Sequence, residues 1–572
     1  MEGFLGGFTR AVAERPEAPA VVFRSGAGER TLTYAALHRA AGSTASWLRA
    51  RSDRGDRVLL LFPSGLGFVT GLLGCLYAGV VPVPAPLPVG PAPQADRAAG
   101  IARDADAVIA LTDKENLAAI AEVLAPLGVR CAVAGPGDGE CAPEPGDPDR
   151  LAFLQYTSGS TSDPKGVLIS HRNLAHNIAL MRERLGWAAG TRFVSWLPMY
   201  HDMGLIALLL TPLAIGGTAI AMSPTDFLRR PVSWLELVHD HRAEVSCAPN
   251  FAYDLCARVI TDERLAGLDL SCWRFACNGA EPIDAGTLDR FAARFGPFGF
   301  SPTSFVPGYG LAEATLFVSG ARPGTGPVTC AVDPRSLERN VFAPVSGAGA
   351  VLVSSGRFDG VDLRIVEGGT GRVLRDGAVG EIWVRGDSVA RGYWRRPEET
   401  ERTFAARTDT GEGGFLRTGD LGVRRGDEIY LVGRAKETLV VRGRNLHPHD
   451  LERVVAALDH VFERLPCAVF SVRPDRDGQP GPEEIVVVQE VRVRGLSADE
   501  VRGLARKIKR GLTTRFGVPI TAVLLVRLGQ IRRTTSGKIR RGRMRELFLD
   551  GELAPLVVER QAGVASPAVA RK

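Results

Sequence analysis

The sequence predicts an α/β protein with a large N-terminal domain of layered α/β subdomains that ends in a β-rich subdomain, followed by a small α+β C-terminal domain. Three observations support this prediction. The length of 572 residues exceeds that of one ordinary domain. Strand-like apolar runs alternate with helical segments over the first four hundred residues. The chain then changes to short strands with close turns after Gly356 and becomes more basic after Gly433.

The first predicted layer is an uncharged stretch from Val58 to Ala95. We expect a buried strand over Val58–Phe62, a buried helix over Leu66–Ala78 and a strand over Val80–Val83, because parallel strands covered on both faces are continuously apolar. A membrane-spanning helix is disfavoured, since glycines and prolines interrupt the stretch. Further strands are predicted over Ala107–Leu111, Phe193–Leu197, Thr218–Ala221, Val245–Cys247 and Trp273–Cys277.

The predicted N-terminal domain spans residues 1–433, and two further predicted units follow it. Residues 351–433 of that domain form the β-rich subdomain, with strands over Val361–Val366 and Gly380–Val384. Residues 434–550 form a compact α+β domain of ordinary size. Residues 551–572, rich in Ala, Val, Pro and Gly, are expected to be a disordered tail. The elements predicted in the α+β domain are Thr438–Val441, Pro448–Ala457, Ala468–Val472, Glu484–Val491, Ser497–Phe516 and Ala522–Val526.

The composition is that of a folded globular protein, with 45% apolar and 23% charged residues. A net charge of +6 is modest for this length and does not by itself imply nucleic-acid binding, and no zinc-finger or RNA-binding signature is present. The nine cysteines include no CxxC pair, so a zinc site is not predicted. The odd cysteine count and the lack of a signal peptide favour the cytoplasm.

The segment of residues 154–167, LQYTSGSTSDPKGV, is the most informative part of the sequence. Glycines allow backbone N–H groups to turn toward an anion, hydroxyls add donors, and Lys165 adds a positive charge, so the loop can bind a polyphosphate. It is not a Walker loop, because the lysine precedes the second glycine. A polar surface turn is the alternative interpretation.

This loop resembles the phosphate-binding signature of the adenylate-forming enzymes, which include acyl-CoA ligases, peptide-synthetase adenylation domains and luciferases. Ser162 replaces the glycine that the signature usually has, and serine is unfavourable there if the position needs a positive φ. The resemblance implies ATP as a cofactor, bound through a set of loop residues. They are Thr157, Ser158, Gly159, Ser160, Thr161 and Lys165.

Four further segments resemble motifs of the same family in the expected order. NGAEP implies that Asn278, Gly279 and Ala280 lie against the adenine, and YGLAE implies that Tyr309 and Gly310 flank the nucleotide while Glu313 holds Mg²⁺. RTGD implies that Asp420 accepts hydrogen bonds from the ribose. GRAKE implies that Arg434 reaches the ribose or phosphate and that Lys436 is the pivot about which a mobile C-terminal domain turns. Each motif alone could be an ordinary turn or linker.

The last motif, GQIRRTTSGKIRR, implies that Lys538 is the mobile catalytic lysine of the family. A cation in a dry site offsets the repulsion between two anions, here the substrate carboxylate and the α-phosphate. The alternative is a basic surface loop. A second interpretation concerns the arginines around Lys538, which could dock an acidic partner. They are Arg532, Arg533, Arg540, Arg541, Arg543 and Arg545.

Other phrases are similar to the fatty-acyl-AMP ligases of this superfamily: SWLPMYHDMGLI, PNFAYD and RGRNLHPHD. Residues 332–350 read as the insertion of these ligases. The resemblance implies a fatty acid substrate, an acyl carrier protein as a separate partner chain, and His201 near the acyl carboxylate. The alternative role for His201 is that of a hydrogen-bonded structural histidine. Met203, Leu205, Ile206 and Phe251 are predicted either to line an acyl tunnel or to be core.

Two other functions remain open from the sequence. A fatty acyl-CoA ligase of the same fold would use free coenzyme A in place of the carrier protein. A non-catalytic nucleotide-binding or scaffold protein would retain the fold without the reaction, although Lys165, Glu313, Asp420 and Lys538 are all present. An amino-acid activator is disfavoured, because we find no acidic residue where a partner for the α-amine is expected. Nucleic acid and an integral membrane segment are not predicted.

Overall fold

The computed structural model describes residues 2–26, 28–88, 92–135, 141–143, 147–157, 164–441, 444–463, 465–473, 475–476, 479–480, 483–533 and 537–560. Through residue 170 the helices are Phe4–Glu14 (α1), Tyr34–Arg49 (α2), Leu66–Ala78 (α3), Ala92–Ala105 (α4) and Leu117–Leu124 (α5). The strands are Pro19–Ser25 (β1), Gly28–Thr33 (β2), Arg57–Leu60 (β3), Val81–Pro84 (β4), Ala107–Leu111 (β5), Arg130–Ala132 (β6), Leu151–Tyr156 (β7) and Gly166–Ser170 (β8).

The middle of the chain alternates helices with strands. The helices are His171–Leu185 (α6), Thr211–Ile215 (α7), Pro224–Arg229 (α8), Val232–Asp240 (α9), Asn250–Val259 (α10) and Ala285–Phe295 (α11), with a π-helix over Met203–Leu210. The strands are Arg192–Ser195 (β9), Thr218–Met222 (β10), Val245–Ala248 (β11), Phe275–Asn278 (β12) and Phe305–Gly310 (β13).

Strands dominate the following region. They are Phe317–Gly320 (β14), Thr329–Val332 (β15), Ala350–Arg357 (β16), Asp362–Val366 (β17), Gly380–Arg385 (β18), Leu416–Arg425 (β19) and Glu428–Arg434 (β20). The two helices are Pro334–Leu337 (α12) and Pro397–Phe404 (α13).

The C-terminal part is α+β. Its strands are Leu439–Val441 (β21), Arg444–Leu446 (β22), Cys467–Val472 (β23), Asp475–Arg476 (β24), Gln479–Pro480 (β25), Glu484–Glu490 (β26), Ile520–Val526 (β27) and Pro555–Arg560 (β28). Its helices are Pro448–Leu458 (α14), Ala498–Phe516 (α15) and Arg541–Leu549 (α16).

The predicted α/β fold class is confirmed. A 14-stranded sheet runs through the molecule, and its parallel part contains β1, β10, β9, β11, β12 and β13. Antiparallel strands β14, β16, β20, β19, β18 and β17 extend it. A second, parallel sheet has the order β4-β3-β5-β6. The carboxyl ends of parallel strands are where open α/β sheets bind ligands, and here they lead into one cleft.

The uncharged stretch forms a buried layer. Helix α3 has nearly all its side chains buried and packs closely on α2, because a Cβ added at Gly74 would lie 2.4 Å from Thr44 Cγ2. The helix ends at Gly79, whose φ of 75° suits glycine. Within the described residues, no helix combines the length and apolar character needed to cross a bilayer.

The C-terminal part has its own cores on the two faces of the sheet β23-β26-β27-β28. Helices α14 and α15 cover one face, and α16 covers the other. The prediction of a disordered tail from residue 551 is wrong for residues 555–560, which pair antiparallel with β27. The consecutive apolar residues Leu556, Val557 and Val558 are a strand signal that the small residues after them obscured. Residues 561–572 lie outside the described part.

Candidate active site

A cleft of about 750 Å³ lies between the large sheet and the C-terminal part. Strand β12 delivers Asn278 to it and β13 delivers Tyr309 and Gly310, while the loop before α16 delivers Lys538 from the other side. Both parts of the chain therefore contribute side chains to one cavity. A pocket within either part alone would not bring these side chains together.

The carboxylate of Asp420 forms the centre of the polar end of the cleft. It is 7% exposed and lies on β19. Tyr309 donates its hydroxyl to Oδ2 at 2.8 Å, and Arg434 Nε donates to Oδ1 at 2.9 Å. Asp420 raises the pKa of Arg434, and burial followed by the Asp420 charge raises the pKa of Tyr309. This fixed carboxylate is suited to accept the hydroxyls of a ribose.

The segment after β12 approaches the neighbouring strand very closely. A Cβ at Gly279 would lie 2.9 Å from the Gly308 carbonyl oxygen, so a side chain there would displace backbone. Ala280 has a φ of 68°, in the left-handed region. Asn278 is 1% exposed and its Oδ1 has no hydrogen-bond partner among the described residues. A planar base with an N–H donor would satisfy this buried oxygen.

Glu313 and Lys165 are connected through Tyr393. The Tyr393 hydroxyl donates to Glu313 Oε1 at 2.9 Å, and Lys165 Nζ lies 5.4 Å from the centre of the Tyr393 ring. Burial raises the pKa of the Glu313 carboxyl. Lys165 Nζ also pairs with Glu399 Oε2 at 3.0 Å, outside the cleft lining. The lysine must exchange this partner if it is to contact a polyphosphate.

Lys538 lies among charged groups of the large domain. Burial lowers the pKa of its ammonium, and the nearby Arg434 lowers it further, while Asp202 and Glu281 raise it. Its loop is held against the large domain, since a Cβ at Gly537 would lie 3.3 Å from the Phe251 ring. The cleft thus carries a partly desolvated cation beside Asp420 and Arg434, at the polar end.

His201 lies on the same cleft, and its Nδ1 is 2.7 Å from Asp202 Oδ1. Burial raises the pKa of Asp202, but the His201 and Lys538 charges lower it by more, so the net shift is downward. Apolar side chains also line the cleft, and they include Met181, Leu185, Trp187, Met203, Ala207 and Leu316.

Met203 and Phe251 line the cleft as predicted for an acyl tunnel, but Leu205 and Ile206 do not. Both are fully buried in the main core and are absent from the cleft lining. Neighbouring positions of a helix face different directions, and the apolar run gave no indication of which face meets the cavity.

Most predicted site residues that the structure describes line this cleft. They are Thr157, His201, Asn278, Gly279, Ala280, Tyr309, Gly310, Glu313, Asp420, Arg434 and Lys538. Lys165 is adjacent through Tyr393. Lys436 is exposed in a short 3₁₀ turn outside the cleft lining, so the structure does not bring it to the other residues. Ser158, Gly159, Ser160, Thr161 and Ser162 lie outside the described residues.

The basic strip is only partly engaged by other groups of the chain. Arg541 pairs with Glu437 at 2.7 Å and with Glu452 at 2.6 Å, and Arg543 pairs with Glu546. Arg533, Arg540 and Arg541 line the cleft, whereas Arg532, Arg533 and Arg545 are exposed. The charge of this run is visible in the sequence, but only the structure separates the paired arginines from the exposed ones.

Sequence reasoning missed Glu281, Tyr393 and Arg97, which contribute to the site. Glu281 accepts the Phe251 N–H at 2.6 Å, and burial raises the pKa of its carboxyl. It lies within the quoted NGAEP segment, so its position was a usable signal. Tyr393 and Arg97 are distant in sequence from every motif, and no local pattern marks them.

The predicted insertion contacts the C-terminal part. Glu338 receives both Nε and Nη2 of Arg444 at 2.7 Å, and its carbonyl accepts the Asn445 N–H at 3.0 Å. A two-pronged arginine–carboxylate pair restricts orientation as well as distance. The insertion therefore links the two sides of the cleft from outside.

Comparisons with known proteins agree with this architecture. The AMP-binding enzyme family model matches residues 8–394. The medium-chain-fatty-acid–[acyl-carrier-protein] ligase JamA of Moorena producens is 38% identical over 91% of this chain and 90% of its own. The long-chain-fatty-acid–AMP ligase FadD26 of Mycobacterium marinum is 38% identical over 89% of this chain and 90% of its own.

A solved structure extends the similarity to three dimensions. The fatty acyl-adenylate ligase of Legionella pneumophila, in complex with acyl adenylate and pyrophosphate, is 34% identical and covers 98% of both chains with a TM-score of 0.75. The predicted family is confirmed: this chain belongs to the fatty-acyl-AMP ligases of the AMP-binding, adenylate-forming enzymes.

Proposed function

We propose that the protein joins a fatty acid to ATP, forming acyl-AMP and pyrophosphate, and then transfers the acyl group to the phosphopantetheine thiol of a separate acyl carrier protein. The observation that carries the proposal is that Asp420, Arg434 and Lys538 line the same cleft as a set of apolar side chains, which includes Met181, Leu185, Trp187 and Met203. The charged side chains suit a nucleotide, and the apolar side chains suit an alkyl chain.

In the first step, formation of acyl-AMP, different residues contact different parts of the substrates. Asp420 holds the ribose, with Tyr309 and Arg434 fixing its orientation. Lys538 lies between the carboxylate and the α-phosphate and offsets their repulsion in a site with little water. The apolar side chains of the cleft, Met203 among them, bind the acyl chain, and His201, whose Nδ1 lies 2.7 Å from Asp202 Oδ1, lines the same cleft.

Mg²⁺ fits this site as a phosphate-bound ion. No group of three metal-ligating side chains is found among the described residues, and Mg²⁺ is usually held by one or two carboxylates together with substrate phosphates. Glu313 would be that carboxylate, with its orientation set by Tyr393. When bound, the ion supplies charge neutralisation for the leaving pyrophosphate.

Transfer to the carrier needs Lys538 to leave the cleft so that the thiol can enter. We propose that the C-terminal domain, residues 434–550, turns about Lys436, which is exposed and free of the cleft. The Glu338–Arg444 pair limits this movement and disfavours the alternative transfer to coenzyme A. We also propose a cytoplasmic location, because all nine cysteines are among the described residues and are free.

A thioester assay tests the proposal. The protein is given ATP, Mg²⁺ and a ladder of fatty acids with either phosphopantetheine-bearing carrier or coenzyme A, and the thioester is identified by mass. Carrier thioester is expected as the main product. Coenzyme A thioester at equal or higher yield would show an acyl-CoA ligase instead. Failure to trap an activated acyl group with hydroxylamine, for any fatty acid, would support a non-catalytic protein.

A further inference from the structure

Two arginines from opposite sides of the cleft face the same space. Arg97 lies on helix α4 of the large domain, and Arg540 lies directly before α16 of the C-terminal part. Both line the cleft. They are near enough that the charge of Arg540, after burial, contributes to lowering the pKa of Arg97. The cleft therefore brings two like charges together across the domain boundary.

Neither arginine has an ion pair with any described residue, and the Nε of each is buried without a hydrogen-bond partner there. The neighbouring acids are engaged elsewhere. Asp104 of α4 binds Tyr156 at 2.6 Å and Arg396 at 3.0 Å, while Glu437 and Glu452 hold Arg541. The described residues supply acidic partners for the adjacent arginines but none for this pair.

The position of the pair indicates what would bind it. Arg97 Nη2 lies 3.5 Å from the carbonyl oxygen of Thr157, the residue at which the predicted phosphate loop begins. Arginine does not lose its proton in proteins, so deprotonation cannot relieve the repulsion. An anion between the two guanidinium groups would relieve it and would satisfy both buried Nε groups.

We propose that Arg97 and Arg540 together form an interdomain clamp for the terminal phosphates of ATP and for the pyrophosphate product, and that their repulsion opens the cleft once pyrophosphate has left. The inference rests on the proposed function for the identity of the anion. It assigns Arg97 and Arg540 as phosphate-binding residues whose charge links the departure of pyrophosphate to the movement of the C-terminal domain.

The first experiment measures binding of magnesium pyrophosphate, without fatty acid, by calorimetry. Arg97→Gln and Arg540→Gln should each weaken it at least tenfold, while binding of AMP, which lacks the terminal phosphates, changes less than twofold. Retained AMP binding also shows that the variants fold. Arg532→Gln is the matched control, because Arg532 is an exposed arginine of the same loop outside the cleft lining.

The second experiment measures hydrogen–deuterium exchange of residues 537–540. Pyrophosphate should protect them in the wild type but not in Arg97→Gln, although Arg97 lies on the other domain. Unchanged pyrophosphate binding in both variants, an equal loss in Arg532→Gln, or an equal loss of AMP binding would overturn the clamp. None of these readouts needs fatty acid, so a protein that activates no fatty acid but gives the expected results would refute the proposed function alone.

Discussion

At the scale of single residues, the polar end of the cleft depends on a few charges placed close together. Asp202 and Glu281 attract Lys538, Arg434 repels it, and burial disfavours its charged form. A cation held in this way is costly to desolvate, but it needs little reorganisation when negative charge arrives. The same reasoning gives Asp420 its importance, since both of its oxygens are already oriented by donors.

Lys538→Ala should lower the rate of adenylate formation by about 100-fold or more, as expected when a positioned charge is removed from a reacting centre. ATP binding should change little, because Asp420, Tyr309 and Arg434 remain. Pyrophosphate exchange and calorimetry measure the two effects. Lys507→Ala is the control, since Lys507 pairs with Asp459 on the surface. Near-normal exchange in Lys538→Ala would refute the role.

The pH dependence should follow the lowered pKa of Lys538. Since the protonated amine is the active form, kcat/KM for adenylation should decline as pH rises, and the decline should begin below the ordinary lysine value of 10.5. Lys538→Arg should show no such decline in its remaining activity, because arginine stays protonated. A wild-type profile without an alkaline limb, in protein shown to be folded by circular dichroism, contradicts this prediction.

Asp420→Ala should weaken ATP binding about 10- to 100-fold, since hydrogen bonds to a charged group contribute about 1.5–3 kcal/mol. The variant also leaves Tyr309 and Arg434 without their acceptor. Tyr309→Phe removes only one donor and should cost about 1 kcal/mol. Calorimetry compares the two. Equal losses would mean that the carboxylate itself does not contact the nucleotide.

At the scale of elements, strand and helix signals were reliable where burial and local sequence agree. Helix α3 has the predicted bounds, because an apolar run closed by Gly79 can be buried on all sides. Strand β12 starts at Phe275 rather than at Trp273, whose ring is instead buried among Trp234, Phe291 and Phe300. Periodicity indicates an apolar residue but does not separate a strand position from an aromatic cluster.

Strand β28 gives a stability prediction. Deletion of residues 555–572 should lower the free energy of unfolding of the C-terminal part by about 1–3 kcal/mol, because β27 loses its edge partner and Leu556 and Val557 no longer pack against the core. Deletion of residues 561–572 alone should have little effect. Differential scanning calorimetry of the two deletion variants measures the difference. Equal unfolding midpoints would show that β28 adds no stability.

At the scale of the whole molecule, the contact between the predicted insertion and the C-terminal part is the feature that we propose restricts opening of the cleft. Glu338 and Arg444 are 106 positions apart and are only partly exposed, so their pair resists solvent screening better than an open surface pair. The limited movement would leave access for a thiol presented by a docked protein and less for a free small molecule.

Glu338→Ala should therefore raise the yield of coenzyme A thioester several-fold relative to carrier thioester, because loss of a half-buried ion pair costs about 1 kcal/mol. The rate of adenylate formation should stay within about twofold of the wild-type rate. The ratio of the two thioesters by mass is the measurement. Arg335→Ala, an exposed change in the same insertion, should leave the ratio as it is. An unchanged thioester ratio in Glu338→Ala would show that the Glu338–Arg444 pair does not select the carrier protein over coenzyme A.

The sequence by itself determined the fold class, the order of the motifs and the residue types predicted to contact the nucleotide, because these follow from hydrophobic pattern and from short loops that carry their own chemistry. Only the tertiary structure decided that Tyr393 orients Glu313, that Arg541 pairs with Glu437 and Glu452, and that Arg97 and Arg540 line the same cleft. Those relations depend on side chains brought together from distant positions, and the free energy of such contacts is set by packing and mutual charge rather than by any local pattern.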